Sequence, residues 1–125
     1  MNFQWADYLN VARHLIEHSK ASGYSEAFQR AAISRAYYAA LITARNLLRD
    51  QWGIEVPETA EIHIFISKWF LNEDDENQKE IGVILDRLRD RRRKADYEDE
   101  LLKISSLAEK SLSDAQLVID RVLNL

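Results

Sequence analysis

The stretch AAISRAYYAALITAR, from Ala31 to Arg45, decides the fold. Nearly every position in it is apolar or small, and it contains neither glycine nor proline, so it favours a helix. At fifteen residues, interrupted by polar side chains, it is too short to span a bilayer. A helix that is apolar on almost all sides must be covered by other helices. The stretch therefore predicts a central helix with neighbours packed around it.

Arg35 lies inside this apolar stretch. A charge in apolar surroundings is costly unless it is paired and hydrogen-bonded. We therefore expect a carboxylate from another helix, or an anionic ligand, beside the Arg35 guanidinium. A structural ion pair is the more common of these two arrangements, because such networks often occur without a function.

The composition indicates a single globular domain that spans residues 1–125. The chain is 46% apolar and 30% charged, with three glycines, one proline and no cysteine. The lack of cysteine excludes disulfides and thiolate metal sites. No signal peptide opens the chain, so we expect a cytoplasmic protein that makes no membrane contact. A net charge of −4 argues against a surface that coats nucleic acid indiscriminately.

Apolar residues at helical spacing predict five helices with short connections, and no alternating strand pattern is present. The predicted helices cover about residues 3–20, 25–50, a short stretch after Thr59, 77 to the low nineties or beyond, and 99–123. Ser25 and Thr59 are the expected N-caps of the second and third helices. The predicted fold is all-α: an antiparallel up-and-down four-helix bundle with a short additional helix.

Three histidines are candidates for chemistry. His14 and His18 lie one turn apart on the first helix, opposite its apolar face, which suits a metal ion. Two ligands do not complete a zinc site, and no third is evident, so the sequence predicts neither a metal site nor a cofactor. His63 lies at the margin of the apolar face of the third helix, where a histidine is more often structural than catalytic.

The fourth helix ends in a charged run, DRLRDRRRKADYEDE, at residues 86–100. Such runs usually form a solvated surface with local ion pairs. Arg92 does not fit this pattern, because it continues the helical spacing of the apolar residues Ile81, Ile84, Leu85 and Leu88. Arg91 and Arg93 turn away from that stripe. We therefore expect Arg92 to point inward and to pair with Asp96, one turn further on.

The last helix has two apolar edges rather than one. The first includes Leu101, Ile104, Ala108, Ala115, Val118 and Val122, at spacings typical of packing along a bundle. The second includes Leu107, Leu112, Ile119 and Leu123. Two edges indicate more neighbours than one helix provides, and this favours a homodimer.

The segments SRAYYAA, at residues 34–40, and RRKADY, at residues 92–97, together resemble the HEPN family of small prokaryotic helical domains. The segment around His63, with Phe70 beyond it, resembles the middle of the same family. The resemblance covers about residues 3–123 and implies a four-helix bundle with a short extra helix, usually a homodimer. Many members resemble metal-independent endoribonucleases that act as toxins beside a minimal nucleotidyltransferase. The resemblance therefore implies two partners, RNA and a minimal nucleotidyltransferase.

In that family the active site is an arginine followed four to six residues later by a histidine, with two copies facing each other across the dimer. Arginine offers several donors to a phosphate, and histidine can take the proton of a ribose 2′-hydroxyl. By resemblance, Arg92 matches the arginine and Tyr97 occupies the histidine position, with Asp96 beside it. The residues expected on the phosphate side are Arg35, Arg93, His63 and Ser34.

A tyrosine at the histidine position leaves alternatives open. Tyrosine titrates at about pH 10 and is a poor base at neutral pH, but it can donate a hydrogen bond to a phosphate. In family members with a histidine, a spacer and a tyrosine, the partner enzyme modifies the tyrosine; that register puts Ala95 at the histidine position. The first hypothesis is that the chain is an RNA-directed HEPN protein, either a ribonuclease or a degenerate ribonuclease. The other hypotheses are a non-enzymatic HEPN module that binds a nucleotide or a partner protein, and a helical interaction domain whose arginines are structural.

Overall fold

The computed structural model describes residues 2–125, which form five α-helices and no strand. The helices are α1 (Asp7–Glu17), α2 (Ser25–Asn46), α3 (Ile62–Leu71), α4 (Glu76–Tyr97) and α5 (Ile104–Leu123). A π-helical turn, Leu47–Gln51, extends the end of α2. The predicted all-α class is thus confirmed for these residues. None of the helices described is long and apolar enough to cross a membrane.

The central helix is α2, which packs against α1, α4 and α5. Small side chains on its buried faces let the neighbouring helices approach closely, and these are Ala32, Ala36, Ala39, Ala40 and Ala44. Tyr37 is the largest side chain that is fully buried in the core. The prediction that the opening stretch forms a covered helix is therefore confirmed.

The first helices begin and end differently from the predictions. α1 is shorter than expected at both ends, and the chain turns toward α2 through Gly23, whose φ is +78°. Glycine adopts this left-handed conformation without the steric penalty of other residues. The N-cap of α2 is Tyr24, which makes no side-chain capping bond, so the prediction that Ser25 is the cap is wrong. The cap of α3 is Glu61, and Thr59 instead accepts a hydrogen bond from the Glu61 N–H at 3.3 Å, within the preceding turn.

The helix α4 agrees with the predicted range, and both of its ends are held by side chains. The carboxylate of Asp75 accepts a hydrogen bond from the backbone N–H of Gln78 at 3.0 Å, as an N-cap does. At the other end, the Arg30 guanidinium of α2 donates to three backbone carbonyl groups. One is that of Ala95, in the last turn of α4, where carbonyl groups lack partners within the helix. The other two follow the helix, at Glu98 and Asp99. The last two turns of α4, which carry Arg92 and Asp96, are thereby attached to α2.

The connection after α4 is longer than the sequence indicates. α5 begins at Ile104 instead of residue 99, since Lys103 has a φ of 56°. A left-handed residue interrupts a right-handed helix. The predicted seam of α5 is largely buried, including Ala108, Ala115, Val118 and Val122.

The helices α3 and α4 approach each other closely at Gly82. A Cβ atom at this position would lie 2.7 Å from Leu71 Cγ and 2.8 Å from the Ser67 carbonyl oxygen. These distances leave no room for a side chain. The close approach holds α3, and with it His63, against α4.

Candidate functional site

Two arginines from different helices meet at a pair of tyrosines in the middle of α2. The Arg35 Cζ atom lies 5.3 Å from the centroid of the Tyr38 ring. The Arg92 Cζ atom, from α4, lies 5.8 Å from the same ring and 5.4 Å from that of Tyr37. At these distances the rings attract the guanidinium charge. We call this group the arginine–tyrosine cluster; its members are Arg35, Tyr38 and Arg92.

Arg92 is the most buried charge of this cluster, with a side chain only 11% exposed. It lies inward because it continues the phase of the buried Ile81, Ile84, Leu85 and Leu88, as the helical spacing predicts. Its Nη1 atom lies 3.6 Å from the Asp96 carboxylate, which is the expected pair. Its Nε atom is buried and has no hydrogen-bond partner among residues 2–125. One distant carboxylate oxygen cannot satisfy the five N–H donors of a guanidinium, so donors remain for a ligand.

Arg35 is surrounded differently from the prediction. It is half-buried, and its guanidinium lies over two rings, those of Tyr38 and of Tyr8 in α1. No carboxylate within residues 2–125 forms an ion pair with it. The expectation of a carboxylate beside Arg35 is therefore wrong, because the guanidinium reaches solvent and aromatic faces instead of the core. Its positive charge is not neutralised by the protein around it.

His63, from α3, borders the same region through Tyr37. The Tyr37 Oη and His63 Nδ1 atoms lie 2.6 Å apart, and the two rings are stacked with centroids 5.6 Å apart. Burial, reinforced by the positive charges of Arg92 and Arg89, lowers the pKa of His63. Burial also raises the pKa of the Tyr37 phenol, although Arg92 opposes this. Both groups are consequently neutral at pH 7.

The Tyr37–His63 bond determines which imidazole nitrogen is free. The Tyr37 hydroxyl has no other hydrogen-bond partner in the described part of the chain, and a buried O–H group needs an acceptor. It therefore donates to Nδ1 of the neutral ring, and the ring proton lies on Nε2. In this state His63 presents an N–H donor, which suits an anion, rather than a base that accepts a proton.

The remaining predicted residues lie elsewhere. Tyr97 is 75% exposed, and at about 100° per residue it lies about 140° around α4 from Arg92. Arg93 is also exposed, and both residues line a shallow depression whose other members are Asp90, Lys94 and Glu98. Ser34 is buried within α2. Within one chain, the structure thus brings Arg35, Arg92, Asp96 and His63 together around the tyrosine pair.

Sequence reasoning missed the tyrosines that organise this site. Tyr37 and Tyr38 were counted as part of an apolar stretch, although Arg35 and Tyr38 are three residues apart and therefore neighbours on one helix face. That spacing was the available signal. The sequence held no such signal for Tyr8, because its contact with Arg35 joins two different helices.

The chain was then compared with known proteins. The model of the family described as HEPN domain matches residues 5–125, a range that includes all five helices. The chain has no significant match among curated proteins or among solved structures. The match covers nearly the whole chain and confirms the resemblance seen in the segments at residues 34–40 and 92–97. The chain therefore belongs to the HEPN domain family.

Proposed function

We propose that the chain is an RNA-directed HEPN protein that binds a phosphate at the arginine–tyrosine cluster. The observation that carries this proposal is the convergence of the Arg35 and Arg92 guanidinium groups on one ring, Tyr38, with Asp96 as the nearby carboxylate. The two arginines carry two positive charges against one negative charge. An anion placed between them would neutralise the excess and accept the unused donors of Arg92.

RNA is the phosphate-bearing ligand that this surface suits best. Single-stranded RNA is recognised through phosphate contacts and through stacking of splayed bases on aromatic or guanidinium planes. Tyr38 and Tyr8 are both only half-buried, so their rings are available beside the guanidinium groups. The Nε2–H group of His63 adds a neutral donor at the edge of the same region.

Cleavage is expected to be weak or absent, which makes the protein a degenerate ribonuclease. A metal-independent ribonuclease needs a base near the 2′-hydroxyl at neutral pH. His63 is held as a donor by Tyr37, and Tyr97 is a phenol on another face of α4. The charges and aromatic rings of the cluster support binding without supplying that base.

The biological setting that we propose is a toxin–antitoxin or defence pair in the cytoplasm. Members of this family often occur beside a minimal nucleotidyltransferase, which would neutralise this chain. We further propose that residues 1–125 form one HEPN-like domain, arranged as an antiparallel four-helix bundle with α3 as the short extra helix, and that it works as a homodimer. Growth after induced expression, with and without the neighbouring nucleotidyltransferase, tests this setting: inhibition that the neighbour relieves would support it, whether the chain acts by binding RNA or by residual cleavage, and growth unaffected by expression would contradict it.

The binding proposal is tested by RNA affinity. Arg92→Ala should lose a charge-assisted contact of about 1.5–3 kcal/mol, which weakens the binding of a labelled single-stranded RNA about tenfold or more. Arg91→Ala is the matched control. Its guanidinium pairs with Asp114 at 2.7 Å, and Asp114 keeps a second partner in Arg87 after the change. We expect Arg91→Ala to weaken RNA binding less than Arg92→Ala.

Two outcomes would contradict the proposal. Equal losses in Arg92→Ala and Arg91→Ala would show that the arginines act only through general charge. Robust RNA cleavage that survives Arg92→Ala would place the ribonuclease site elsewhere.

The second candidate is a non-enzymatic module that binds a nucleotide or a partner protein at the same surface. The observation that favours it is the donor state of His63, which suits an anion without requiring catalysis. If wild type binds mononucleotides but not RNA, and Arg92→Ala abolishes that binding, this candidate replaces the first.

A further inference from the structure

The exposed face of α1 carries three potential metal ligands that the phosphate site does not use. They are His14, Glu17 and His18, whose ligand atoms all lie within 4.8 Å of one another. The two imidazole rings have centroids 4.2 Å apart. The helical spacing alone indicates the two histidines, and the structure places Glu17 beside them. These three residues form the histidine–glutamate cluster.

The helix itself brings these side chains together. Residues three and four positions apart lie on one face of an α-helix, so Glu17 and His18 both lie beside His14. The opposite face is anchored in the core by Leu9 and Ala12, which are buried. All three ligands are exposed, so an ion can reach them and their side chains are free to rotate.

The nearest charges favour a cation at this position. The cluster occupies the last turn of α1, where the helix dipole gives the helix end a partial negative charge. The neighbouring cation, Arg13, is directed elsewhere: its guanidinium donates to Asn10 and to Gln116 of α5. Glu17 contributes a full negative charge.

We propose that His14, Glu17 and His18 bind one divalent transition-metal ion of the zinc class. Two imidazoles and a carboxylate form a ligand set that zinc uses in proteins, with a fourth position left to solvent or a further ligand. Zinc–ligand bonds of about 2.0–2.1 Å require ligand atoms about 3.3 Å apart in a tetrahedron, so small rotamer changes suffice. Imidazole ligands do not suit the hard ions Mg²⁺ and Ca²⁺.

Calorimetric titration of the chelator-treated protein with Zn²⁺ tests the proposal. We expect one ion per chain, a rise in thermal stability with added Zn²⁺, and no binding of Mg²⁺. Removing a residue that only hydrogen-bonds to a metal ligand weakens metal binding about 10–100-fold. Removing a ligand itself should cost at least as much, so His14→Ala and His18→Ala should each weaken zinc binding at least about tenfold. Glu17→Gln should weaken it less, because the amide oxygen remains a neutral ligand.

The third histidine of the chain supplies the matched control. His63 lies on α3, outside the cluster, so His63→Gln should leave zinc affinity unchanged within about twofold. Absence of zinc binding in the wild type would overturn the proposal. So would zinc binding that survives the combined His14→Ala and His18→Ala change, or that falls equally in His63→Gln. Circular dichroism of each variant verifies that the helices are intact.

Discussion

Arg92 combines burial with unused hydrogen-bonding capacity. Its side chain is largely covered, its carboxylate contact is long, and its Nε atom has no partner in residues 2–125. Stability alone does not favour a buried charge with unsatisfied donors. The aromatic faces of Tyr37 and Tyr38 offset part of the desolvation of the guanidinium. The unused donors of Arg92 therefore support the anion site proposed above.

His63 should make stability depend on pH. Its pKa is lowered in the folded chain from an ordinary value of 6.5, chiefly by burial and next by Arg92 and Arg89. As the pH falls, the unfolded chain therefore takes up the proton first, and the free energy of unfolding decreases. This contribution is complete above pH 6.5 and is lost as the pH falls through the lowered pKa.

The measurement is the melting temperature of wild type and His63→Gln at about pH 7.5 and about pH 5.5. Wild type should lose more stability over this interval than the variant, because glutamine does not titrate. An equal loss in both proteins would mean that groups other than His63 cause the pH dependence.

Tyr97 is expected to be dispensable for the phosphate contact. It is exposed and lies on a different face of α4 from Arg92, so Tyr97→Phe should change RNA affinity by less than about twofold. For the same reason, Tyr97→His should not produce RNA cleavage. Gel analysis of a labelled RNA measures both. Cleavage by Tyr97→His would instead revive the assignment of position 97 as the base position.

At the scale of elements, the site depends on how α2, α3 and α4 are held together. Arg30 attaches the end of α4 to α2 through backbone carbonyl groups, and Gly82 lets α3 lie directly against α4. Asp114 of α5 binds both Arg87 and Arg91, which fixes the other side of α4. These contacts hold the face that carries Arg92 toward the tyrosine pair.

Gly82→Ala should destabilise the protein even though alanine favours a helix by about 1 kcal/mol. The added Cβ would overlap the Leu71 side chain and backbone atoms of α3, and overpacking of this kind typically costs about 1–3 kcal/mol. Urea unfolding measures the change. Val83→Ala, at the exposed neighbouring position, is the control and should change stability by less than about 0.5 kcal/mol. A Gly82→Ala protein as stable as wild type would show that α3 shifts without penalty.

At the scale of the whole molecule, the second apolar edge of α5 is divided between two environments. Ile119 is buried in the core of the chain, whereas Leu123 is 69% exposed. The part of this edge that remains exposed, together with the family relationship, supports the expectation of a homodimer. Two-fold dimers are also the commonest assembly of soluble proteins.

Light scattering after gel filtration at micromolar concentration should give twice the mass of one chain. Leu123→Asp should shift the population toward monomers if this edge is part of the interface, since it would bury an unpaired charge there. A strictly monomeric mass across a tenfold range of wild-type concentration would refute the dimer, and with it a site composed of two copies.

The sequence by itself determined the helical class, the central position of α2, the family, and the inward phase of Arg92 with its partner Asp96. The family followed from the resemblance of the segments at residues 34–40 and 92–97, whereas the other features depend on spacing within a single helix, which periodicity reports directly. The helix ends were harder to predict from the sequence. Arg30 holds the end of α4 through a contact between residues far apart in the chain, and Lys103 precedes α5 in a left-handed conformation. The spacing of apolar residues encodes neither feature.

Only the tertiary structure decided what surrounds the charges. Arg35 lies over Tyr8 and Tyr38 instead of beside a carboxylate, and His63 is bonded to Tyr37, which lies 26 residues earlier. Tyr8 and His63 come from helices other than α2, and their contacts with Arg35 and Tyr37 follow from the packing of those helices rather than from local spacing. Burial and nearby charge then determine which form of each group is present, so the donor state of His63 arises only once the helices are assembled.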